Sequence, residues 1–155
     1  QVPTDTMTTK SSGHSGVLDY VTGLQTRNEL EACLQLQFDH NSNQLPTLVA
    51  LGVDVIGLKH VNDTHGFLAG DTYLAAAAAK LIDATAHSQL QSRLGGDELT
   101  AIFLGSQALE NATAAKEKLL ACPEPPQVRC GIVTAVVNDT AALLIERLYI
   151  AIRKA

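Results

Sequence analysis

The segment Leu48 to Ile56 (LVALGVDVI) constrains this chain more than any other, because it is apolar throughout except for one carboxylate, Asp54. It falls well short of the ~18 consecutive apolar residues that a bilayer span needs. Continuous rather than alternating apolarity predicts a strand buried on both faces. A carboxylate inside such a strand is costly unless it is paired, protonated or bound to a metal. A strand-end Asp that caps the following loop is the plainer alternative.

From Gly16 onward the chain alternates helical and strand patterns, with no internal repeat. Thr26-Arg27-Asn28-Glu29 is a cap-like start, followed by Leu30, Cys33, Leu34 and Phe38 at helical spacing. Asn41 to Pro46 is a polar loop, and a second loop after the strand carries Asn62, Asp63, Gly66 and Gly70. A long helix is predicted from Asp71 to His87, where the Ala75–Ala79 tract combines high helix propensity with a slim face for close packing. Leu90 to Leu94, Gly95-Gly96-Asp97-Glu98 and Leu99 to Leu104 form a hairpin signal. A helix from Ser106 to Leu120, a strand from Val128 to Val137 and a closing helix from Thr140 to Lys154 follow. Apart from the first helix, the order is β-α-β-β-α-β and a final helix. This predicts an α/β (α+β) protein with a ferredoxin-like βαββαβ core and extra helices, its helices on one side of a mainly antiparallel sheet. In that topology the first strand lies beside the hairpin, so Asp54 and the acidic turn can meet.

Composition narrows the chemistry. The 155 residues suffice for one domain, and 46% hydrophobic with 17% charged residues describes a globular chain. Eleven Lys and Arg against sixteen Asp and Glu leave a net charge of -5, which argues against a nucleic acid or a direct membrane contact as partner. Without Trp, and with three Tyr and three Phe, there is no base-stacking platform either. Phosphate chemistry here must lean on backbone amides and metal ions. Cys33, Cys122 and Cys130 are widely spaced without a CxxC pair, which predicts small buried thiols in a reducing compartment. The five histidines share no motif and are expected to be solvated or packed. Residues 1–16, rich in Thr and Ser, are expected to be a disordered linker or an expression remnant. That would make 17–155 a domain excised from a longer multidomain protein.

Gly95-Gly96-Asp97-Glu98 places two carboxylates on a tight turn whose glycines admit a ligand close to the backbone. Carboxylates on two strands converging on a phosphate-sized space are a means of holding Mg²⁺ over a nucleoside triphosphate. At this point the chain resembles the GGDEF domains, the diguanylate cyclases of bacterial signalling, with a GGDEL variant of the signature. Asp19-Tyr20-Val21-Thr22-Gly23-Leu24 with Arg27 is similar to the family's opening D-x-L-T-G-L-x-N-R block. Asp54 through Asp71 (DVIGLKHVNDTHGFLAGD) resembles D-x-D-x-F-K-x-x-N-D…G-x-x-x-G-D. Arg93 through Leu99 resembles R-x-G-G-D-E-F, and Leu148-Tyr149-x-Ala151 the closing A-L-Y-x-A-K. The agreement of four ordered blocks, covering about Val17 to the end, is far more specific than a lone GGDE.

The resemblance implies a GGDEF, nucleotidyl-cyclase-like fold that condenses two GTP to cyclic di-GMP and pyrophosphate at a homodimer interface. It implies Asp54, Asp97, Glu98 and the Val55 carbonyl as ligands of two Mg²⁺ (or Mn²⁺) ions per half-site. Glu98, Asp97 and Lys59 match the catalytic positions. Asn62 and Asp71 match the guanine-reading pair, with Gly95, Gly96 and the main chain at Leu58 along the phosphates. The implied setting is cytoplasmic, including the cytosolic part of a membrane-anchored sensor, with sensor or effector domains of unknown identity. Asp63 is expected to organise its loop, Asp19 and Arg27 to form a structural ion pair, and Leu148 and Tyr149 to lie in the core. Arg93 either braces the hairpin or serves signalling.

Departures from the family pattern define the alternative, a degenerate, non-catalytic GGDEF module that binds GTP or a protein partner and regulates a neighbouring domain. Ile56 replaces the second Asp of D-x-D, Leu58 a Phe, and Leu99 the signature Phe. Ile152 stands where the resemblance places a phosphate-binding Lys. Ala86 and Gln89 replace the charged pair of the R-x-x-D inhibitory site, so feedback by cyclic di-GMP through that site is not expected.

Overall fold

In the computed structural model, which describes residues 17–40 and 47–155, the apolar run becomes strand β1 (Leu48–Val55) at the centre of a sheet. Around it follow α1 (Arg27–His40), α2 (Leu58–His65), α3 (Phe67–Ala84), β2 (Leu90–Arg93), β3 (Glu98–Leu104), α4 (Ala108–Ala121), β4 (Val128–Thr134) and α5 (Ala141–Arg153). The expected linker 1–16 and the loop Asn41–Pro46 lie outside the described residues. The strand order is β2-β3-β1-β4 and every pairing is antiparallel, the order of a βαββαβ core.

The helices do not lie on one side as expected. They cover both faces, and β1 is apolar on both sides for that reason. Val49, Leu51, Val53 and Val55 face α3 and α4 through Leu74, Ala77, Ala78, Leu81, Ala112 and Leu119. Leu48 and Ala50 face the other way, onto Leu30, Leu34 and Phe38 of α1 and Leu144, Ile145 and Leu148 of α5. Each fully buried Leu, Val or Phe here contributes about 1.5–3 kcal/mol. The alanine tract does supply the slim face, with Ala77 and Ala78 buried.

A second correction concerns the segment after β1. The Asn, Asp and Gly residues taken as a loop instead sit on two consecutive helices, α2 and the first turns of α3. Two of the glycines act at the joints. Gly57 at φ +90° precedes α2, and Gly66 at φ +90° separates α2 from α3. Both are left-handed conformations that disfavour a side chain. The Tyr73 hydroxyl donates to the Ile56 carbonyl at 2.6 Å and pins the first joint.

Helix α5 approaches the sheet across a pair of glycines, Gly52 and Gly131, which face each other on β1 and β4. A Cβ on Gly131 would lie 2.6 Å from the Ala151 carbonyl carbon and 2.7 Å from the Ile152 nitrogen. Backbone cannot give way as a side chain does, so Gly131→Ala is expected to lift α5 and cost about 1–3 kcal/mol. Urea unfolding of the variant measures this.

Candidate active site

The register places Asp54 directly opposite Glu98, and the Val55 amide donates to the Asp97 carbonyl at 2.8 Å. The lone carboxylate of the apolar strand and the acidic turn thus meet, as the topology requires. Carboxylate oxygens of Asp54, Asp97 and Glu98 all lie within 4.8 Å of one another. Such a set of hard oxygen donors fits Mg²⁺ or Mn²⁺.

The electrostatics record the crowding of like charges. Burial, followed by repulsion from Asp97, raises Asp54 above the usual carboxylate range, against the opposing pull of Arg129. Burial also dominates at Glu98. With the Asp97 hydrogen bond and the charges of Asp97 and Asp54, it pushes Glu98 up to about 7, while Arg27 acts in the opposite sense. A divalent cation relieves the same repulsion by holding all three groups ionised.

The turn itself is held from two sides. Leu94 and Gly95 amides donate to the Glu98 carbonyl at 2.8 and 3.2 Å. Arg93 donates through Nε to the Gly95 carbonyl, through Nη2 to the Gly96 carbonyl, and through Nη1 to Asp19. It therefore braces the hairpin. The partner of Asp19 is Arg93 rather than Arg27, because a tight turn folds Asp19 back onto the Thr22 amide and hydroxyl beside the edge strand β2. Arg27 instead pairs with Glu31 one helical turn on and donates to the Tyr149 hydroxyl at 3.2 Å. Tyr149 is accordingly only half-buried at the rim, while Leu148 lies in the core as expected. Gly95 has no side chain because a Cβ there would strike the Glu98 carboxylate and lie 3.2 Å from the Tyr149 hydroxyl.

Beside the carboxylates opens a cleft of about 550 Å³, lined by Leu58, Lys59, Asn62, Asp63, Phe67, Gly70, Asp71, Leu74, Arg93, Gly96 and Asp97. Asn62 on α2 and Asp71 on α3 reach it from adjacent helices, because Gly70 leaves room for the Asn62 side chain against the α3 backbone. No side chain caps the N-terminus of α2, so its first amides remain donors for an anion. Lys59 is 88% exposed and bridges Asp63 at 2.8 Å, so Asp63 organises a helix surface rather than a loop. Leu58 packs against the core and Leu99 is fully buried, while Ile56 is exposed. Ala86 and Gln89 lie between α3 and β2.

Arg129 escaped sequence reasoning. It lies opposite Asp54 on β4, with Nη1 3.1 Å from Asp54 Oδ2. Its signal in the sequence is a charge in the second position of an otherwise small and apolar strand, but only the register reveals the partner. Ile152 is buried, its Cδ1 lying over Gly52. No helix among the described residues is long and apolar enough to cross a membrane.

Compared with protein-family models, residues 17–152 match the diguanylate cyclase, GGDEF domain. The chain is 34% identical over 111 residues to an uncharacterized signaling protein of Caulobacter vibrioides, covering 69% of this chain and 14% of that protein. It is 30% identical over 142 residues to the diguanylate cyclase DgcP of Pseudomonas aeruginosa, covering 83% of this chain and 21% of that protein. The chain thus spans only a minor part of the length of these relatives. Among solved structures, a sensory box/GGDEF family protein from Caulobacter crescentus superposes with a TM-score of 0.71 at 29% identity, covering 89% of this chain and 96% of that one. The GGDEF domain of DgcB from Caulobacter crescentus, solved in complex with c-di-GMP, gives a TM-score of 0.77 at 20% identity over 93% of this chain and 92% of that one, a likeness of fold.

Proposed function

The chain belongs to the GGDEF family of diguanylate cyclases, and from that premise we propose that it condenses two GTP to cyclic di-GMP and pyrophosphate at a homodimer interface. The observation that carries this reading is the convergence of Asp54, Asp97 and Glu98 within 4.8 Å beside the cleft.

In this reading each domain holds one GTP, and two domains face each other so that each 3′-hydroxyl attacks the other's α-phosphorus. Asp54, Asp97, Glu98 and the Val55 carbonyl would hold two Mg²⁺ or Mn²⁺ ions. Such ions, when bound, screen the triphosphate, polarise the α-phosphoryl group and lower the hydroxyl's pKa. Glu98, beside Asp54 and Asp97, is suited to ligate a metal or to assist deprotonation of the hydroxyl. Asp71 accepts from guanine N1–H and the exocyclic amine, and Asn62 meets the acceptor edge. The α2 amides, with Gly95 and Gly96, lie along the phosphates. Lys59, exposed at the rim and bridged to Asp63, is placed to meet the phosphates. The greater length of the relatives supports reading the chain as the GGDEF part of a longer signalling protein.

The test is to dimerise the protein artificially, incubate it with GTP and Mg²⁺ or Mn²⁺, and assay cyclic di-GMP by mass spectrometry. Product is the expected outcome. A dimer that binds GTP but forms no product would instead support a regulatory GGDEF module. That second reading is favoured by one observation: Ile152 is buried and brings no cation from α5.

A further inference from the structure

A bound triphosphate carries more negative charge than the divalent ions alone offset, so the basic side chains around the carboxylates bear on the chemistry. Among the described residues most are engaged. Arg93 spends its guanidinium on Asp19 and the Gly95 and Gly96 carbonyls. Arg27 is held by Glu31, the Leu94 carbonyl and Tyr149. Lys59, at the rim of the cleft, is bridged to Asp63 one turn along α2.

Arg129 differs in position and in what it leaves unused. On β1 and β4, Gly52 faces Gly131 beneath the last turn of α5, and the next pair on that same face is Asp54 with Arg129. Asp54 is therefore flanked across the sheet by Glu98 on one side and Arg129 on the other. The Arg129 side chain is about half exposed, and among the described residues its hydrogen-bond partner is Asp54, met through Nη1 alone.

The geometry points to Arg129 as a triphosphate-binding cation of this site in addition to Lys59, holding Asp54 before ligand arrives and turning to the phosphates once Asp54 engages metal. Its planar fork suits a bidentate grip on phosphate oxygens, which a lysine from the same place does not reproduce. The role rests on the GTP-binding reading above and extends it. It also accounts for how a site with Ile152 buried in the core retains a phosphate cation.

The test measures binding of Mg²⁺-GTP, Mg²⁺-GDP and guanosine by calorimetry to the protein and to Arg129→Ala, Arg129→Gln and Arg129→Lys. Loss of a charge-assisted phosphate contact is expected to weaken Mg²⁺-GTP about ten- to a hundredfold in the Ala and Gln variants. Guanosine affinity is expected to stay unchanged, and Lys to restore only part of the loss. Thermal melts identify any variant that fails to fold, and the remaining ones decide the matter. Unchanged GTP affinity, or equal weakening of GTP and guanosine, overturns the role and leaves Arg129 a structural partner of Asp54. If the unsubstituted protein binds Mg²⁺-GTP but forms no cyclic di-GMP as a dimer, the cyclase reading fails while Arg129 is still judged on affinity. Absence of GTP binding to the unsubstituted protein overturns both.

Discussion

Replacing Glu98 by Gln is expected to abolish cyclic di-GMP formation while making the metal-free protein more stable near and above neutral pH. The first effect follows from losing a proton acceptor and a charged metal ligand at once, which places the loss at about a hundred- to ten-thousandfold. The second follows from the raised acidity constant. Glu98 titrates at about 7 in the folded protein against an ordinary 4.5. Between those two pH values the folded state holds the proton more tightly than the unfolded state, so stability falls as pH rises through this window. Above it the folded protein carries a crowded carboxylate at full cost. Gln carries no charge, so the variant's melting temperature should fall less between pH 5 and about pH 8. Paired thermal melts in chelator, together with a GTP turnover assay, measure both effects. A variant that retains turnover removes Glu98 from the chemistry. One that loses turnover without the change in pH dependence shows that the crowding at Glu98 is not a stability liability.

That opposition between function and stability was partly legible in the sequence. Asp54 stood out because a single carboxylate interrupted an apolar strand, and the Gly-Gly-Asp-Glu turn stood out by its local chemistry. Their meeting followed from a strand order that short connections and antiparallel pairing strongly favour. What remained hidden depends on pairings distant in the chain. The register that sets Arg129 beside Asp54 spans 75 residues. Nothing near Arg129 in the sequence announces its partner. The Asp19–Arg93 bridge was misassigned to Arg27 because both arginines stand in recognisable blocks, and only the fold-back of residues 18–25 onto β2 decides between them. The segment 57–70 reads as a loop because Asn62, Asp63, Gly66 and Gly70 punctuate it. In the structure the glycines occupy the helix joints and a packing contact, while Asn62 and Asp63 lie on the helix between them. The burial of β1 on both faces already implied two layers of helices, a stronger signal than the element order that suggested one.

A second large effect is expected far from the carboxylates, at Asp139. This side chain is almost fully buried between β4 and α5. It accepts from Arg147 at 2.7 and 2.9 Å and from the Val136 amide at 3.1 Å. Arg147 also donates to the Thr134 carbonyl at 3.0 Å, so the pair fastens the end of β4 to the first half of α5. Asp139→Ala leaves the Val136 amide without its acceptor and Arg147 with the Thr134 carbonyl alone. Because Arg147 remains about a third exposed and can regain water, the loss falls at the low end for a broken buried pair, about 3 kcal/mol. Asn keeps one acceptor for Val136 but no charge, and is expected to lose about half as much. The pH dependence separates this pair from simple packing. Burial pushes the Asp139 carboxyl up, but the Arg147 hydrogen bonds, the Val136 and Thr140 amides and the Arg147 charge together draw it below its ordinary value of 3.8. A lowered native value means that the stabilisation is fully present above about pH 4 and disappears as pH falls through the native value. Urea unfolding of the protein and Asp139→Ala should therefore give a stability gap that is wide at pH 7 and narrows on acidification below 3.8. A gap that stays constant into acid would assign the loss to packing at the β4–α5 corner and not to the ion pair.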